Sequence, residues 1–124
     1  MAKPFSMTYR NKFDYKIFDL TGDIDSNDAV HIEASIKEVN PEINQVILNM
    51  EEVGYITGTA LNYLMKLNKE MPGNIFIMNA NQDLIQIFKS NNAAKFFNFI
   101  VNENLLMEKQ KKRQLNDLLD IADD

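Results

Sequence analysis

No cysteine occurs among the 124 residues of this chain. Disulfides, thiolate zinc sites and cysteine nucleophiles are therefore excluded, and the composition suits a reducing compartment. Histidine is nearly as scarce. His31 stands alone between Val30 and Ile32, with no serine, cysteine or metal-ligating partner spaced to work with it. Long apolar runs are missing too. None approaches the ~20 residues that a membrane-spanning helix needs, and the opening "MAKPFSMTYRNKF" lacks the apolar core of about 7–15 residues that marks a signal peptide. A cytoplasmic location without membrane insertion is the resulting expectation. No Walker lysine follows "GYITG", and no GxGxxG fingerprint occurs.

Positive charge is in the minority, with 13 Lys and Arg against 18 Asp and Glu, a net charge of -5. The overall field repels nucleic acid, so no nucleic-acid partner is expected. One basic run, "KQKKRQ" at 109–114, precedes the acidic "DLLDIADD" and reads as the solvated face of a helix.

What is present is ordinary globular material, 45% hydrophobic and 25% charged, in a chain long enough to bury a core without staples. Phe5, Met7 and Tyr9 alternate with Ser6, Thr8 and Arg10, the period of a half-buried strand, and "NK" at 11–12 suggests a turn. "FDYKIFDL" reads as the antiparallel partner. "TGDIDSND" breaks the pattern, with Asp25 or Ser26 as N-cap and Asp28 in the first turn, where the helix dipole favours negative charge. Ala29, Ile32, Ile36 and Val39 then form a helical stripe that Asn40-Pro41 stops.

The rest of the chain alternates strand and helix. Val46-Ile47-Leu48 is compact and apolar, as in a strand covered on both faces. Ala60, Leu61, Leu64, Leu67 and Met71 make a second stripe, ended by "MPG" at 71–73. "NIFIMNA" is a short strand, "NQDLIQIFKS" a helix with Leu84, Ile87 and Phe88 inward, and "FFNFIV" at 96–101 a last strand. Beyond Asn102, Leu105, Leu106 and Met107 are followed by seven polar residues, then by Leu115, Leu118, Leu119 and Ala122 at helical spacing. The order implies an α/β domain with a largely parallel sheet, an antiparallel opening hairpin and a C-terminal helix whose docking stays open.

Catalytic material is thin. Asp23, Asp25 and Asp28 cluster, but without the glycine and terminal glutamate of a calcium-binding EF-hand loop, and a turn plus a helix cap explains them. No nucleophile, base and orienting group assemble, so no catalytic residue, metal or cofactor is assigned. One junction remains. In "YITGTAL" at 55–61 a strand gives way to a helix through Thr57, Gly58 and Thr59. A helix start offers free N–H groups and the positive end of the dipole, so a hydroxyl there either caps the helix or marks a place for phosphate.

Three segments carry a resemblance. "FDLTGDIDSNDA" resembles the strand-loop-helix opening of the anti-sigma-factor antagonists, the STAS domains, which typically read Leu-x-Gly-Glu-Leu-Asp. "VILNMEEVGYITGTALNYL" resembles their central strand followed by Asp-Ser-Ser-Gly-Leu, and "NIFIMNANQDLIQIFKSNNAAKFFNFI" their later strand, helix and final strand. The resemblance covers roughly residues 13 to 102. It implies a STAS-like α/β fold, with a mixed, mostly parallel sheet, in one domain over residues 1–102, and a helical extension over 103–124.

It also implies a non-enzymatic module that binds an anti-sigma factor or related kinase-fold protein to control transcription. In that family the partner phosphorylates the serine after the aspartate. Here Thr57 falls at the aspartate, Gly58 at the phosphoacceptor serine, Thr59 at the second serine, Ala60 at the glycine and Leu61 at the leucine. Gly58 has no hydroxyl, so Thr59, and after it Thr57, become the candidate acceptors. The implied docking surface comprises Asp23, Ile24, Asp25, Ser26, Gly58, Thr59 and Asn62. The alternative is a constitutive STAS adaptor in another signalling or transport complex. The oligomeric state is left open.

Overall fold

A computed structural model describes residues 3–13, 15–39, 45–70, 75–108, 111, 112 and 115. Five strands form one sheet in the order β1-β2-β3-β4-β5: β1 Ser6–Lys12, β2 Tyr15–Thr21, β3 Val46–Glu52, β4 Ile75–Met78 and β5 Asn98–Ile100. β1 and β2 are antiparallel, and every later pair is parallel. The helices between them are α1 Ser26–Val39, α2 Gly58–Glu70 and α3 Gln82–Ser90, with a short 3₁₀ turn at Ala94–Phe96. The expected mixed sheet with its opening hairpin is what the chain forms. The stops at Asn40-Pro41 and "MPG", together with Met71, Leu118, Leu119 and Ala122, lie outside the described residues.

The hairpin reverses two residues later than the "NK" reading placed it. Lys12 pairs with Tyr15, and Phe13 takes a left-handed φ of 55°. Asn11 stays in the strand opposite Lys16, because its side-chain oxygen accepts from the Tyr9 hydroxyl at 2.8 Å and from Lys16 Nζ at 2.6 Å.

Side chains alternate across each strand, so the sheet has two distinct faces. Phe18, Leu20, Leu48, Met50 and Ile77 point to one face and pack against the stripes of α1, α2 and α3, including Ile32, Leu61, Leu64 and Phe88. This is the main core. Tyr15, Ile17, Ile47, Met78 and Ile100 point to the other face and form a smaller cluster with fully buried Leu106. Leu106 lies in a C-terminal helical segment over 103–108, which therefore docks on the rear of the sheet. Apolar cover on both faces accounts for the compact run at Val46-Ile47-Leu48.

A polar chain runs beside that rear cluster. Arg10 of β1 donates to Asp19 of β2 at 2.7 and 3.1 Å and to Glu103 at 2.6 and 3.2 Å, and Lys12 also donates to Glu103. Asn49 Nδ2 donates to Asp19 at 2.7 Å, and Asn79 Nδ2 to Asn49 at 2.8 Å. The hydrogen bonds from Arg10 and Lys12 pull the Glu103 carboxyl down to about 2. For Asp19, burial works against ionisation, yet the bonds from Arg10 and Asn49 prevail and lower its pKa. The C-terminal helix is thus tied to the opening hairpin at its first turn.

Candidate functional site

Two loops meet where β2 and β3 end. The first turns at Gly22, whose φ is 90° and whose Cβ would stand 2.5 Å from the Pro4 carbonyl oxygen. A side chain fits neither the conformation nor the space. The Gly22 N–H donates to the Glu52 carbonyl at 3.0 Å, fixing the first loop to the end of β3. Further along, the Ile24 N–H donates to the Tyr55 carbonyl and the Thr57 N–H to the Ile24 carbonyl, both at 3.0 Å. Ile24 and Ile56 thus form an isolated parallel bridge that extends the β2–β3 pairing.

Ile24 departs from the expectation that it belongs to a docking surface. Its side chain is fully buried in the main core beside Ile56, because alternation along the extended loop turns it inward. Its backbone instead holds the two loops together.

Each loop ends in a helix cap. The Asp28 N–H donates to Asp25 Oδ1 and the Asp25 N–H to Asp28 Oδ2, both at 2.9 Å, a reciprocal box at the start of α1. Asp25 is therefore the cap, and Ser26 is the first helical residue. The Asp28 N–H is the main cause of the lowered pKa at Asp25. At α2, the Ala60 N–H donates to Thr57 Oγ1 at 3.1 Å, and the Leu61 N–H to the Thr57 carbonyl at 3.0 Å. Thr57 is the N-cap. Its Oγ1 lies 3.2 Å from Thr59 Oγ1. Thr57 is half-buried and Thr59 exposed.

The structure brings Asp23, Asp25, Thr57, Gly58 and Thr59 to one end of the sheet, with Asn62 one turn along α2. Thr59, Asn62, Tyr63 and Lys66 line an open groove of about 320 Å³ on the outer side of that helix. A second open groove, of about 450 Å³, lies between the loops and is lined by Lys3, Phe5, Asp25, Tyr55 and Thr57 among others.

Several neighbours of the site, Tyr55, Tyr63, Lys3 and Asn91 among them, were not among the expected residues. Tyr55 and Tyr63 keep 51% and 40% of their surface exposed. Tyr63 stands four residues from Thr59 and off the Ala60, Leu61, Leu64, Leu67 stripe, a spacing that marks it as outward-facing. Lys3 and Asn91 reach the site from remote parts of the chain and leave no local signal. Asn91 follows α3, and its Oδ1 stands 3.2 Å from where a Cβ on Gly58 would be. The assembled chemistry is two hydroxyls, a helix start, flanking carboxylates and two exposed aromatic rings. Among the described residues, no group of three histidine or acidic side chains is placed to hold a metal ion.

A family model for the STAS domain matches residues 7–105. The chain belongs to the STAS family. The match reaches beyond the 13–102 resemblance at both ends, taking in β1 and the start of the C-terminal helix. STAS structures align over most of the chain. The anti-sigma factor antagonist SpoIIAA of Bacillus, in its unphosphorylated form, is 12% identical with a TM-score of 0.66, covering 86% of this chain and 97% of that one. An anti-sigma factor antagonist from Mycobacterium paratuberculosis is also 12% identical at a TM-score of 0.66, covering 86% and 93%. The murine anion transporter Slc26a9 aligns at 14% identity and a TM-score of 0.62, over 82% of this chain but 18% of its own. At these identities the likeness is one of fold. Comparison with curated protein sequences returns no match. No helix among the described residues is long and apolar enough to cross a membrane.

Proposed function

We propose that this STAS domain is a non-enzymatic docking module of the anti-sigma-factor-antagonist kind, which binds an anti-sigma factor or related kinase-fold regulator through the paired loops and the first two turns of α2. The observation that carries the reading is the strand-to-helix junction itself. Thr57 is engaged as a cap, Gly58 offers no hydroxyl, and Thr59 stands exposed beside them. Around this point lie Asp23 and Asp25 on one side and Asn62, Tyr63 and Lys66 on the other. Exposed tyrosines beside polar groups are the usual anchors of a protein interface.

Thr59 is the phosphoacceptor in this proposal. Its hydroxyl projects from the second helical position, where the dipole and free N–H groups favour an anion. A phosphoryl group there adds close to -2 charge beside the acidic loop and turns the surface away from an acidic partner. Thr57 ranks second because its oxygen already serves the cap. Cytoplasmic residence and control of transcription follow from this reading.

A second reading, a constitutive adaptor in another signalling or transport complex, draws on Gly58 at the family's acceptor position and on the fold match to a domain of an anion transporter. Titration of the full chain with the kinase-fold anti-sigma factors of its own genome, with ATP present, separates the two. The leading reading expects saturable binding, phosphate on Thr59, and loss of transfer in Thr59→Val. Binding without transfer leaves the adaptor reading, and no binding to any of them contradicts the leading one.

A further inference from the structure

α3 ends in a Schellman turn. Asn92 takes a left-handed φ of 58°, its N–H donates to the Lys89 carbonyl at 3.0 Å, and the Ala93 N–H donates to the Phe88 carbonyl at 2.8 Å. Phe88 and Ala93 are both fully buried in the main core, which anchors the turn. Asn91, the C-cap, is held twice. Its backbone N–H and its side-chain Nδ2 both donate to the Ile87 carbonyl, at 3.2 and 2.8 Å. With that nitrogen turned back onto α3, the amide leaves its oxygen facing α2, 3.2 Å from where a Cβ on Gly58 would stand. Outside the α2 backbone and the two neighbouring residues, no other atom of the described residues comes within 4 Å of that point. Gly58 lies outside the left-handed region, so its backbone does not require glycine. The Asn91 oxygen is what a side chain there would meet.

We propose that Asn91 is the specificity-determining residue of this junction: it closes position 58 to phosphate and leaves Thr59 as the acceptor. The chemistry at the two positions differs. At position 58 a phosphoryl group would meet an amide oxygen, which only accepts, while the donating Nδ2 is already committed to Ile87. At Thr59, one residue along, the side chain opens onto the groove it shares with Asn62, Tyr63 and Lys66, whose amide, hydroxyl and ammonium groups can donate. Thr57 is closed in another way, its hydroxyl oxygen already accepting from the Ala60 N–H.

In the transfer, the Thr59 hydroxyl oxygen bonds to the γ-phosphorus of ATP held by a kinase-fold partner. The bond from that phosphorus to the β–γ bridging oxygen breaks, ADP leaves, and the hydroxyl proton passes to a base of the partner. The use of Thr59 rests on the docking reading. The closure of position 58 by Asn91 does not.

The cysteine-free chain allows a test that needs no partner. Gly58→Cys and Thr59→Cys, each the only thiol of its protein, are alkylated with iodoacetamide in the folded chain and in urea. In the folded chain the thiol at position 58 should react roughly fivefold slower than that at 59, because Asn91 must first release its bond to Ile87. Adding Asn91→Ala should raise the rate at 58 by roughly fivefold and leave that at 59 within about twofold. In urea the rates should converge. A second measurement needs no change at Gly58. In the native chain Asn91→Ala should move the Gly58 amide resonance, while the amides of the β1–β2 hairpin stay in place.

With kinase-fold anti-sigma factors of the same genome and ATP, Gly58→Ser in a Thr59→Val background should gain phosphate roughly fivefold faster once Asn91→Ala is added. Absence of transfer to every protein, the parent included, contradicts the docking reading, and the alkylation rates decide the closure in either case. Equal alkylation at 58 with and without Asn91→Ala, or a Gly58 resonance that this substitution leaves in place, overturns the proposal.

Discussion

The side-chain oxygen of Asn91 stands 3.2 Å from the place a Cβ on Gly58 would occupy, so the end of α3 closes over the first turn of α2. The contact is tight but involves the tip of a side chain, and Gly58 lies outside the left-handed region that Gly22 requires. Gly58→Ser should therefore fold. Its stability should lie within about 1 kcal/mol of the parent, since the loss of glycine freedom in the unfolded chain offsets the displacement of Asn91. Urea unfolding of the two proteins checks this. Under the docking reading, the new hydroxyl should also accept phosphate from a kinase-fold partner.

Thr57 and Thr59 are chemically alike but should behave differently. Thr57→Ala removes the oxygen that accepts from the Ala60 N–H and should cost about 1 kcal/mol, while Thr57→Ser keeps the cap and should cost far less. Thr59→Ala, at an exposed position, should stay within about 0.5 kcal/mol. Denaturant midpoints at neutral pH distinguish the three.

The element order and the inward stripes were legible because each rests on local periodicity. Ala29, Ile32 and Ile36 are buried at the spacing that marks one helical face, and Val46, Ile47 and Leu48 at that of a doubly covered strand. The hairpin reversal was displaced because Asn11 and Lys12 are polar residues that nonetheless pair across the ladder. At the site, the Thr57 cap follows from residue type next to an apolar stripe. The neighbours that shape it do not. Asn91 reaches Gly58 across 33 positions (91 minus 58), and Pro4 meets Gly22 through a backbone approach that no side-chain pattern encodes. The tie between Glu103 and Arg10, 93 residues apart, is equally silent in sequence.

That tie has a pH signature. The folded Glu103 carboxyl sits at about 2 against an ordinary 4.5, held down by Arg10 and Lys12. A depressed carboxyl contributes stability fully above its unfolded value and loses it as pH falls through the folded one. The stability gap between the parent and Glu103→Gln should be constant above about 4.5 and shrink between there and about 2. Partial exposure and salt screening keep that gap modest. Urea midpoints across the acid range test it, and a gap that widens on acidification contradicts it.

Leu106 tests whether the C-terminal helix belongs to the fold. It is fully buried against Ile17, Ile47, Met78 and Ile100, so Leu106→Ala should cost about 2–4 kcal/mol. A loss below about 1 kcal/mol, measured by urea unfolding, would mean that the rear face collapses readily without it.

The most direct test of the docking reading is amide hydrogen exchange of the full chain, alone and with a kinase-fold anti-sigma factor from its own genome. The account predicts slowed exchange over residues 23–28 and 55–66, with the rear-face segment 103–108 unchanged. Protection confined to the rear face, or none in the paired loops, would contradict it.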